Sequence, residues 1–455
     1  MNQGGLALPL TAAAIIERLE RTPLTAWHVK VRLVVGVATF FNAFDMLAIA
    51  YALPVLAPAW NLTPGMSGLL ISALFVGEIV GAVIFGFVAE RYGRRTALVC
   101  CTALYSIMSL AAAVAPTYGW LVAARLMVGL GLGAEVPIAV TYISEIAKAH
   151  GRGRFILFYE MIFPLGLVLA GASGWWLVVH VGWRPLMALG GVPALIVLPM
   201  QRFLPESPRW LAARGRLQEA DAIVTRIEAT AGSPGNAVWS PRPPTAVSEQ
   251  RVSWRDILGP QYWRRSLVLW LMYFSCFFMN FGLVTWLPTL YRSLYHLSLS
   301  DSLRNTLITQ AVGLAGTFAS AMFIDVVGRR VWFGLAFLLS ALAFGALGLA
   351  EVGMAQAMLA GSCIAFFFVS AISIGMILYA PELYPTRARA LGVSLGYATS
   401  VLAGVVAPLV VGAVVARFGL APVFALFAAF GVLAGLVTLL FATETRRRVL
   451  EEISP

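Results

Sequence analysis

The chain has 455 residues, of which 60% are hydrophobic and only 12% are charged, and its formal net charge at pH 7 is +11. Soluble domains average about 25% charged residues, so the composition excludes an ordinary soluble protein. The positive charge does not indicate a nucleic-acid partner, because the basic residues fall in alternate connections between apolar stretches. We therefore expect an all-α membrane protein embedded in the lipid bilayer.

Twelve apolar stretches are long enough to cross the hydrocarbon core as helices, which takes roughly 20 residues each. They predict twelve transmembrane helices in two pseudo-symmetric six-helix bundles, at 31–203 and 265–441, joined by a cytoplasmic loop at 204–264 with short amphipathic helices. Residues 1–30 are expected to be a cytoplasmic N-terminal segment with a short amphipathic helix, and 442–455 a cytoplasmic tail. The predicted spans are 31–57, 66–89, 96–115, 119–142, 154–180, 183–203, 265–290, 304–327, 331–350, 354–380, 389–415 and 420–441.

The distribution of basic residues predicts the orientation of the chain. Lys and Arg crowd every second connection and both terminal segments, which the positive-inside rule assigns to the cytoplasm. The first 30 residues lack the basic start and apolar core of a cleavable signal. We expect a multi-pass protein of a bacterial inner membrane with both termini cytoplasmic. In the connecting loop, Ser207 is expected to cap a helix that Pro208 begins.

Charged loop signatures occur twice in the chain, about half a chain apart. Residues 86–95 are echoed by residues 321–330, and their turn glycines, Gly93 and Gly328, are 235 residues apart. Two further echoes have nearly the same offset, Glu145 and Arg152 with Glu382 and Arg389, and more faintly Glu206 with Glu444. Parallel repeats of this kind predict a duplicated membrane protein with a site between its halves.

The duplicated loops are predicted to form a gate. Their charges could pair with a neighbouring helix end in one conformation and be released in the other, or they could only anchor the topology. Gly86 is expected to allow a close helix contact. The predicted gating residues are Gly86, Glu90, Arg91, Gly93, Arg94, Arg95, Glu145, Arg152, Asp325, Gly328, Arg329, Arg330, Glu382 and Arg389.

Ionisable residues inside spans are costly and therefore mark functional candidates. Asp45 in the first span and Arg125 in the fourth both lie roughly 21 Å from the cytoplasmic face, at 1.5 Å per helical residue. We predict that they pair and that Asp45 exchanges a proton when the arginine moves away; a static structural pair is the alternative. Glu135 is a second proton site or a packing partner. Glu78 is interpreted as a structural contact, and Glu160 as a cytoplasmic structural pair.

Several motifs together resemble the major facilitator superfamily. These are the loop pair, Arg125-x-x-x-Gly129-x-Gly131-x-Gly133, Pro205-Glu-Ser-Pro-Arg209 and Pro381-Glu-Leu-Tyr-Pro-Thr-Arg387. The resemblance covers nearly all of the chain and implies a carrier that exposes a central site alternately to either side of the membrane. In sugar porters of the superfamily, an aspartate and an arginine are placed similarly to Asp45 and Arg125.

The N-terminal stretch resembles the metabolite:proton symporter branch of that superfamily. Its motifs here are Glu17-Arg-Leu-Glu-Arg21-x-Pro23-Leu-Thr25-x-x-His28, Phe41-x-x-Phe44-Asp45, Gly131-x-Gly133-Ala-Glu135-x-Pro137 and Trp286-Leu-Pro288. This branch includes bacterial nicotinate transporters, aromatic-acid carriers and synaptic-vesicle and organic-ion carriers. The resemblance therefore implies proton-coupled transport of a small metabolite.

The seventh span lacks the paired glutamines that sugar porters usually carry there. Aromatic rings with single amides suit a flat molecule with one polar end. The predicted substrate-binding residues are Arg125, Asn280, Trp286, Gln310, Tyr379 and Tyr397, with Arg125 as a possible carboxylate contact.

These features predict a proton-driven importer of a small organic acid, with nicotinate or another aromatic monocarboxylate first. A drug or organic-cation exporter, a sugar:proton symporter and a non-transporting receptor are the alternatives. The sequence contains neither a phosphate-binding glycine loop nor a nucleophile elbow, so no motif indicates an enzyme. The histidines and cysteines have no metal-like spacing, so we expect no metal and no cofactor. We expect a monomer whose partners are its substrate, protons and lipid.

Overall fold

Twelve membrane-spanning helices build the protein, as the sequence predicts. In the computed structural model, residues 11–23, 25–146, 159, 162–230, 257–349, 355–385 and 388–446 are described. Within them, twelve helices are long and apolar enough to cross a membrane. In chain order, these spans are Ala26–Ala59, Pro64–Tyr92, Arg94–Ala113, Tyr118–Ile146, Ile162–His180, Trp183–Phe203, Trp263–Ser293, Leu299–Val327, Arg329–Leu349, Ala355–Glu382, Arg389–Phe418 and Ala421–Phe441.

Two of the spans are interrupted where the sequence contains glycine and proline. The fourth consists of Tyr118–Leu132 and Glu135–Ile146, because Pro137 has no N–H to donate to the preceding turn. The sixth consists of Trp183–Leu189 and Ala194–Phe203, with a turn that ends at Pro193. The predicted start of the fifth span, together with Arg152 and Glu160, lies outside the described residues.

Close packing of the second span on the fourth depends on glycines. Gly77 and Gly81 face the fourth span, and Gly129 and Gly133 face the second. A Cβ atom at any of them would overlap the backbone of the partner helix. Small residues spaced by four allow such backbone contact between helices in a membrane. The contact fixes the fourth span, which carries the buried arginine, against the second.

The predicted close helix contact at Gly86 is wrong. A Cβ atom there would meet no atom of the described chain within 4 Å. Gly86 lies more than one helical turn beyond Gly81, where the helix surface around it is open. The glycines that bring backbones together are therefore nearer the middle of the span.

Three short helices pack together beside the spans. They are Ala12–Arg21, Pro208–Ala213 and Leu217–Thr230. Their apolar faces share a small core, and Arg18 forms an ion pair with Glu228 at 2.6 Å. The hydrogen bonds that Arg18 donates to Glu228 raise the pKa of Arg18. The N-terminal amphipathic helix and the loop helices predicted from the sequence are thus present.

The cap of the first loop helix also agrees with the sequence. The hydroxyl of Ser207 accepts a hydrogen bond from the backbone N–H of Trp210, and Pro208 is the first residue of the helix. The cap holds the start of this helix next to Glu206, whose carboxylate contacts the second-to-third connection.

The two halves contact each other at one end of the bundle. We call the end that carries Arg94, Arg95, Arg329 and Arg330 the basic end, and the other the opposite end. Near the opposite end, a Cβ atom on Gly68 would overlap the backbone of Pro408. In the same region, Trp175 of the fifth span donates a hydrogen bond to Ser300 of the eighth at 3.0 Å. These contacts close the passage between the halves at the opposite end.

The glycine contact between the second and fourth spans leads to a prediction about the stability of the folded protein. Replacing glycine by alanine inside a helix normally stabilises it by roughly 0.5–1 kcal/mol. We expect Gly129→Ala instead to destabilise the protein by about 1–3 kcal/mol, because the methyl group would overpack the backbone of Leu74.

Thermal unfolding of the purified protein in detergent measures this difference. Gly86→Ala is the matched control, and we expect it to melt at or above the wild-type temperature. Equal melting temperatures for the two variants would contradict the packing role of Gly129.

Candidate transport cavity and buried ion pair

A central cavity of about 210 Å³ lies between the two halves. It extends from the middle of the bundle towards the basic end, where Phe163 of the fifth span and Ile377 of the tenth line its walls. Because the halves contact each other at the opposite end, we infer that the cavity is reached from the basic end. A site between duplicated halves is the arrangement that the repeats predict.

The cavity is mostly apolar and carries a few polar groups. Its aromatic walls include Phe277, Phe281 and Phe366. Among the described lining residues, Glu78 is the single charged side chain. The other polar lining residues are Asn42, Asn280, Thr285, Gln310, Thr317, Ser370, Ser373, Tyr397 and Ser400. Apolar walls with a small number of polar groups are typical of sites for small organic molecules.

Three of the predicted substrate residues line this cavity, namely Asn280, Gln310 and Tyr397. The side-chain amide of Gln310 is buried, and neither of its polar atoms has a hydrogen-bond partner. A buried amide without partners costs free energy, so it is a strong candidate for a substrate contact.

Two predicted substrate residues lie elsewhere. The ring of Trp286 is buried near Gly412 of the eleventh span, towards the opposite end. Tyr379 donates a hydrogen bond to the carbonyl oxygen of Thr443 at 2.8 Å, and its ring packs on Phe333. In this conformation the two rings lie in helix contacts and do not line the cavity, and their role in substrate binding stays a prediction.

The structure brings Asp45 and Arg125 together, as their calculated depths predict. Nη1 of Arg125 lies 3.2 Å from Oδ1 of Asp45 and 3.0 Å from its backbone carbonyl oxygen. Each side chain is only 1% exposed. Ser109 of the third span donates a hydrogen bond to the other carboxylate oxygen, a contact that the sequence did not reveal. In this conformation neither member of the pair is among the residues that line the cavity.

Arg125 is incompletely paired. Its Nε and Nη2 atoms are buried and have no hydrogen-bond partner among the described residues. The charges of Asp45 and Glu78 both act on the guanidinium. The arginine therefore has donors left for a second carboxylate.

Glu135 is held by hydrogen bonds. Its carboxylate accepts them from the hydroxyl of Thr39 at 2.8 Å and from the amide of Asn42 at 3.0 Å. Asn42 also lines the cavity and thus connects Glu135 to it. This environment suits the interpretation as a helix-packing partner, and its role in proton transfer stays a prediction.

Glu78 is the functional candidate that sequence reasoning undervalued. It is 8% exposed, and that exposed part faces the cavity rather than a helix contact. The signal in the sequence was a carboxylate in the middle of an apolar span. The sequence could not show which way the Glu78 side chain points from its helix, because the second span is apolar on all sides.

The two duplicated loops have the same contacts. Gly93 and Gly328 both have positive φ angles, 105° and 100°, which glycine adopts without strain. Arg94 lies 3.2 Å from Glu145, and Arg329 lies 3.1 Å from Glu382. These pairs form within each half, so they join neighbouring helices of one bundle.

The faint third echo has a structural explanation. The carboxylate of Glu206 accepts hydrogen bonds from the backbone N–H groups of Arg94 and Arg95 at 2.9 and 3.1 Å. Glu444 does the same for Arg329 and Arg330, at 3.0 Å each. A carboxylate at a helix N-terminus pairs with unsatisfied N–H groups and with the helix dipole.

The remaining predicted gating residues occupy the same region. Arg94 also pairs with Glu90 at 3.0 Å, and Arg329 pairs with Asp325 at 2.6 Å. The side chain of Arg95 donates to the carbonyl oxygen of Gln201. Arg91 lies over the ring of its neighbour Tyr92, and Arg389 begins the eleventh span. Gating itself stays a prediction.

A family described as "Sugar (and other) transporter" matches residues 34–455 of this chain. The chain belongs to this major facilitator family. The resemblance predicted from its motifs is thereby confirmed, and its relatives and fold are those of transporters rather than enzymes.

Individual relatives agree with that assignment. The chain is 34% identical to the niacin transporter NiaP of Acinetobacter baylyi, over 96% of this chain and 99% of the relative. It is 27% identical to the organic cation/carnitine transporter 7 of Arabidopsis thaliana, over 92% and 91% of the two chains. A partially occluded inward-open structure of the xylose transporter XylE from E. coli has a TM-score of 0.72 at 21% identity, covering 93% of this chain and 100% of XylE. The transporter fold of this family member is therefore established.

The duplicated loop pairs generate a prediction about the transport cycle. We expect Arg94→Gln and Arg329→Gln each to lower the transport rate about tenfold, equivalent to roughly 1.4 kcal/mol in the barrier. Substrate affinity should stay within about twofold, because neither arginine lies at the cavity.

Initial rates and binding constants in the same proteoliposome preparation separate the two effects. Arg226→Gln, on the Leu217–Thr230 helix, is the control and should transport normally. Wild-type rates in both loop variants would remove the gating role.

Proposed function

We propose that this transporter imports a small aromatic monocarboxylate, with nicotinate as the first candidate, and that the import is coupled to protons. The observation that carries the proposal is the 34% identity to a niacin transporter along nearly the whole of both chains. The metabolite:proton symporter motifs of the N-terminal half support it.

The cavity suits such a substrate. Phe277, Phe281 and Phe366 offer ring faces, against which a flat aromatic molecule stacks favourably. Asn280 and the unpartnered amide of Gln310 supply hydrogen-bond donors for a polar end of the substrate. A polyol would need more such groups around it than the apolar walls provide.

The Asp45–Arg125 pair is the proposed centre of proton coupling. A buried carboxylate stays ionised while it is paired with a guanidinium. When the arginine moves away, the carboxylate is left without its partner and takes up a proton. Importing one proton with one monoanion is electrically neutral, so the pH gradient alone drives it. Accumulation is then limited to about tenfold per pH unit, or roughly 1.4 kcal/mol.

The orientation follows from the basic residues. The positive-inside rule places the basic end in the cytoplasm, which supports a bacterial inner-membrane protein with cytoplasmic termini. The cavity of this conformation then faces the cytoplasm, where an importer releases its substrate. A monomer suffices for this cycle, because both halves that enclose the cavity belong to one chain.

Transport of an organic cation is the second candidate. Glu78 is the charged side chain among the described residues that line the cavity, and it is acidic. One relative is an organic cation/carnitine transporter. An ionised Glu78 would attract a cation rather than a carboxylate.

Uptake into proteoliposomes decides between the candidates. We expect radiolabelled nicotinate to accumulate when an inward proton gradient is imposed, with competition by benzoate and little competition by xylose. Exchange of a quaternary amine without any flux of nicotinate would reject the proposed substrate class and favour the second candidate.

A substitution tests the coupling centre. We expect Asp45→Asn to abolish gradient-driven accumulation and to destabilise the protein by about 3–5 kcal/mol, because it leaves the Arg125 charge buried without its partner. The double variant Asp45→Asn with Arg125→Gln should recover stability but not accumulation. Full uphill uptake by Asp45→Asn would show that Asp45 is not needed for coupling.

A further inference from the structure

We propose that Glu78 is the residue that links substrate binding to protonation: the anionic substrate binds only when the Glu78 carboxyl group holds a proton. This inference rests on the proposed function, because it concerns an anionic substrate of the central cavity. It assigns to Glu78 a role that the sequence motifs give to Asp45.

The first support is the position of Glu78. Its carboxyl group lines the cavity, whereas Asp45 and Arg125 are 1% exposed and lie behind the walls. A proton and a substrate that enter from the basic end therefore reach Glu78 without any rearrangement of the buried pair. Asp45 becomes accessible only if the wall opens.

The second support is the charge of the walls. No lysine or arginine is among the described residues that line the cavity. A carboxylate substrate bound there would meet the ionised form of Glu78 with no cation between them. Like charges in a low-dielectric site repel strongly, so binding of the anion requires the neutral form.

The third support is the incomplete pairing of Arg125, which lies behind the cavity wall, and of Gln310, which lines the cavity. Nε and Nη2 of Arg125 have no acceptor among the described residues, and the amide of Gln310 has no partner there. Glu78 and Arg125 already interact electrostatically. When Glu78 is ionised, two carboxylates compete for Arg125, and when Glu78 is protonated, Asp45 alone holds it. Protonation at the cavity is thereby transmitted to the buried pair.

Other titratable groups around Glu78 have separate roles. From the fourth span, Arg125 acts on it directly, and Glu135 is occupied by hydrogen bonds from Thr39 and Asn42. From the first span, Asp45 is paired with Arg125. From the eleventh span, Tyr397 lines the same cavity. Glu78 is thus the cavity carboxylate whose charge is not balanced by an ion pair at hydrogen-bond distance.

The sign of the pH dependence follows from this assignment. Lowering the pH neutralises Glu78, so nicotinate should bind more tightly, by up to about tenfold per pH unit across the range in which Glu78 titrates. Nicotinamide has the same ring without the negative charge, so its affinity should change by less than about twofold. A permanent cation such as 1-methylnicotinamide should show the opposite slope.

The experiment measures binding of nicotinate and nicotinamide to the purified full-length protein between pH 6 and pH 8.5. The variants are Glu78→Gln, which mimics the protonated group, and Glu219→Gln, which removes an exposed carboxylate on the Leu217–Thr230 helix, as the matched comparison. We expect Glu78→Gln to bind nicotinate with an affinity independent of pH, and Glu219→Gln to keep the wild-type slope. Nicotinamide binding by each variant shows that its cavity is intact.

A measurement on the wild-type protein keeps the test valid if Glu78→Gln does not fold. Titration calorimetry in buffers of different ionisation enthalpy counts the protons taken up with each ligand. We expect nicotinate to take up close to one proton above the titration range of Glu78 and nicotinamide to take up none.

The possible failures are distinguishable. A nicotinate slope that persists in Glu78→Gln, or nicotinate binding without proton uptake by the wild type, would overturn the role of Glu78 and leave the proposed substrate standing. Absence of nicotinate binding at every pH, with nicotinamide or the cation bound, would overturn the proposed substrate and this inference together.

Discussion

The central constraint on this transporter is the burial of one guanidinium and three carboxyl groups inside its spans. Arg125, Asp45, Glu78 and Glu135 are the charged side chains buried within the described spans. Charges at this depth are tolerated only when they are paired, hydrogen-bonded or open to water. Each carboxyl group satisfies one of these conditions: Asp45 is paired, Glu135 is hydrogen-bonded, and Glu78 faces the cavity. The glycine contact between the second and fourth spans makes this arrangement possible, because a larger residue at Gly129 or Gly133 would separate the helices.

The halves repeat each other at the basic end but differ in the interior. Glu206 and Glu444 cap equivalent helices, and the ion pairs beside them are equivalent too. The buried charges, in contrast, all belong to the N-terminal half, while Asn280 and Gln310 belong to the C-terminal half. Duplication thus supplied two similar rigid bodies, and the proposed proton and substrate contacts became divided between them. Binding between the halves can then depend on the charge state of one half.

Much of this architecture could be predicted from the sequence. Span length, the positive-inside pattern and the repeated loops predicted twelve helices, and counting residues along two antiparallel spans placed Asp45 beside Arg125. These inferences need only depth, which sequence position determines at 1.5 Å per residue.

Predictions that needed the direction of a side chain around its helix were less successful. The second, seventh and tenth spans are apolar on all faces, so hydropathy could not show that Glu78 faces the cavity while Trp286 and Tyr379 face helix contacts. The hydrogen bond from Ser109 to Asp45 was not predicted either, because a serine in an apolar span has many possible partners.

The contacts that close the opposite end explain how the halves could separate there. Gly68 meets the backbone of Pro408, and Gly412 meets the backbone of Pro64, so the second and eleventh spans come into main-chain contact at two points. Beside these points, the hydroxyl of Ser72 donates a hydrogen bond to the carbonyl oxygen of Val405 at 2.8 Å, which separation of the halves would break. The basic end is built differently, because its ion pairs and caps hold each half together internally. In the proposed alternating-access cycle, the halves part at these glycine contacts, and the charge on Glu78, which lies between them and the basic end, is placed to bias that movement.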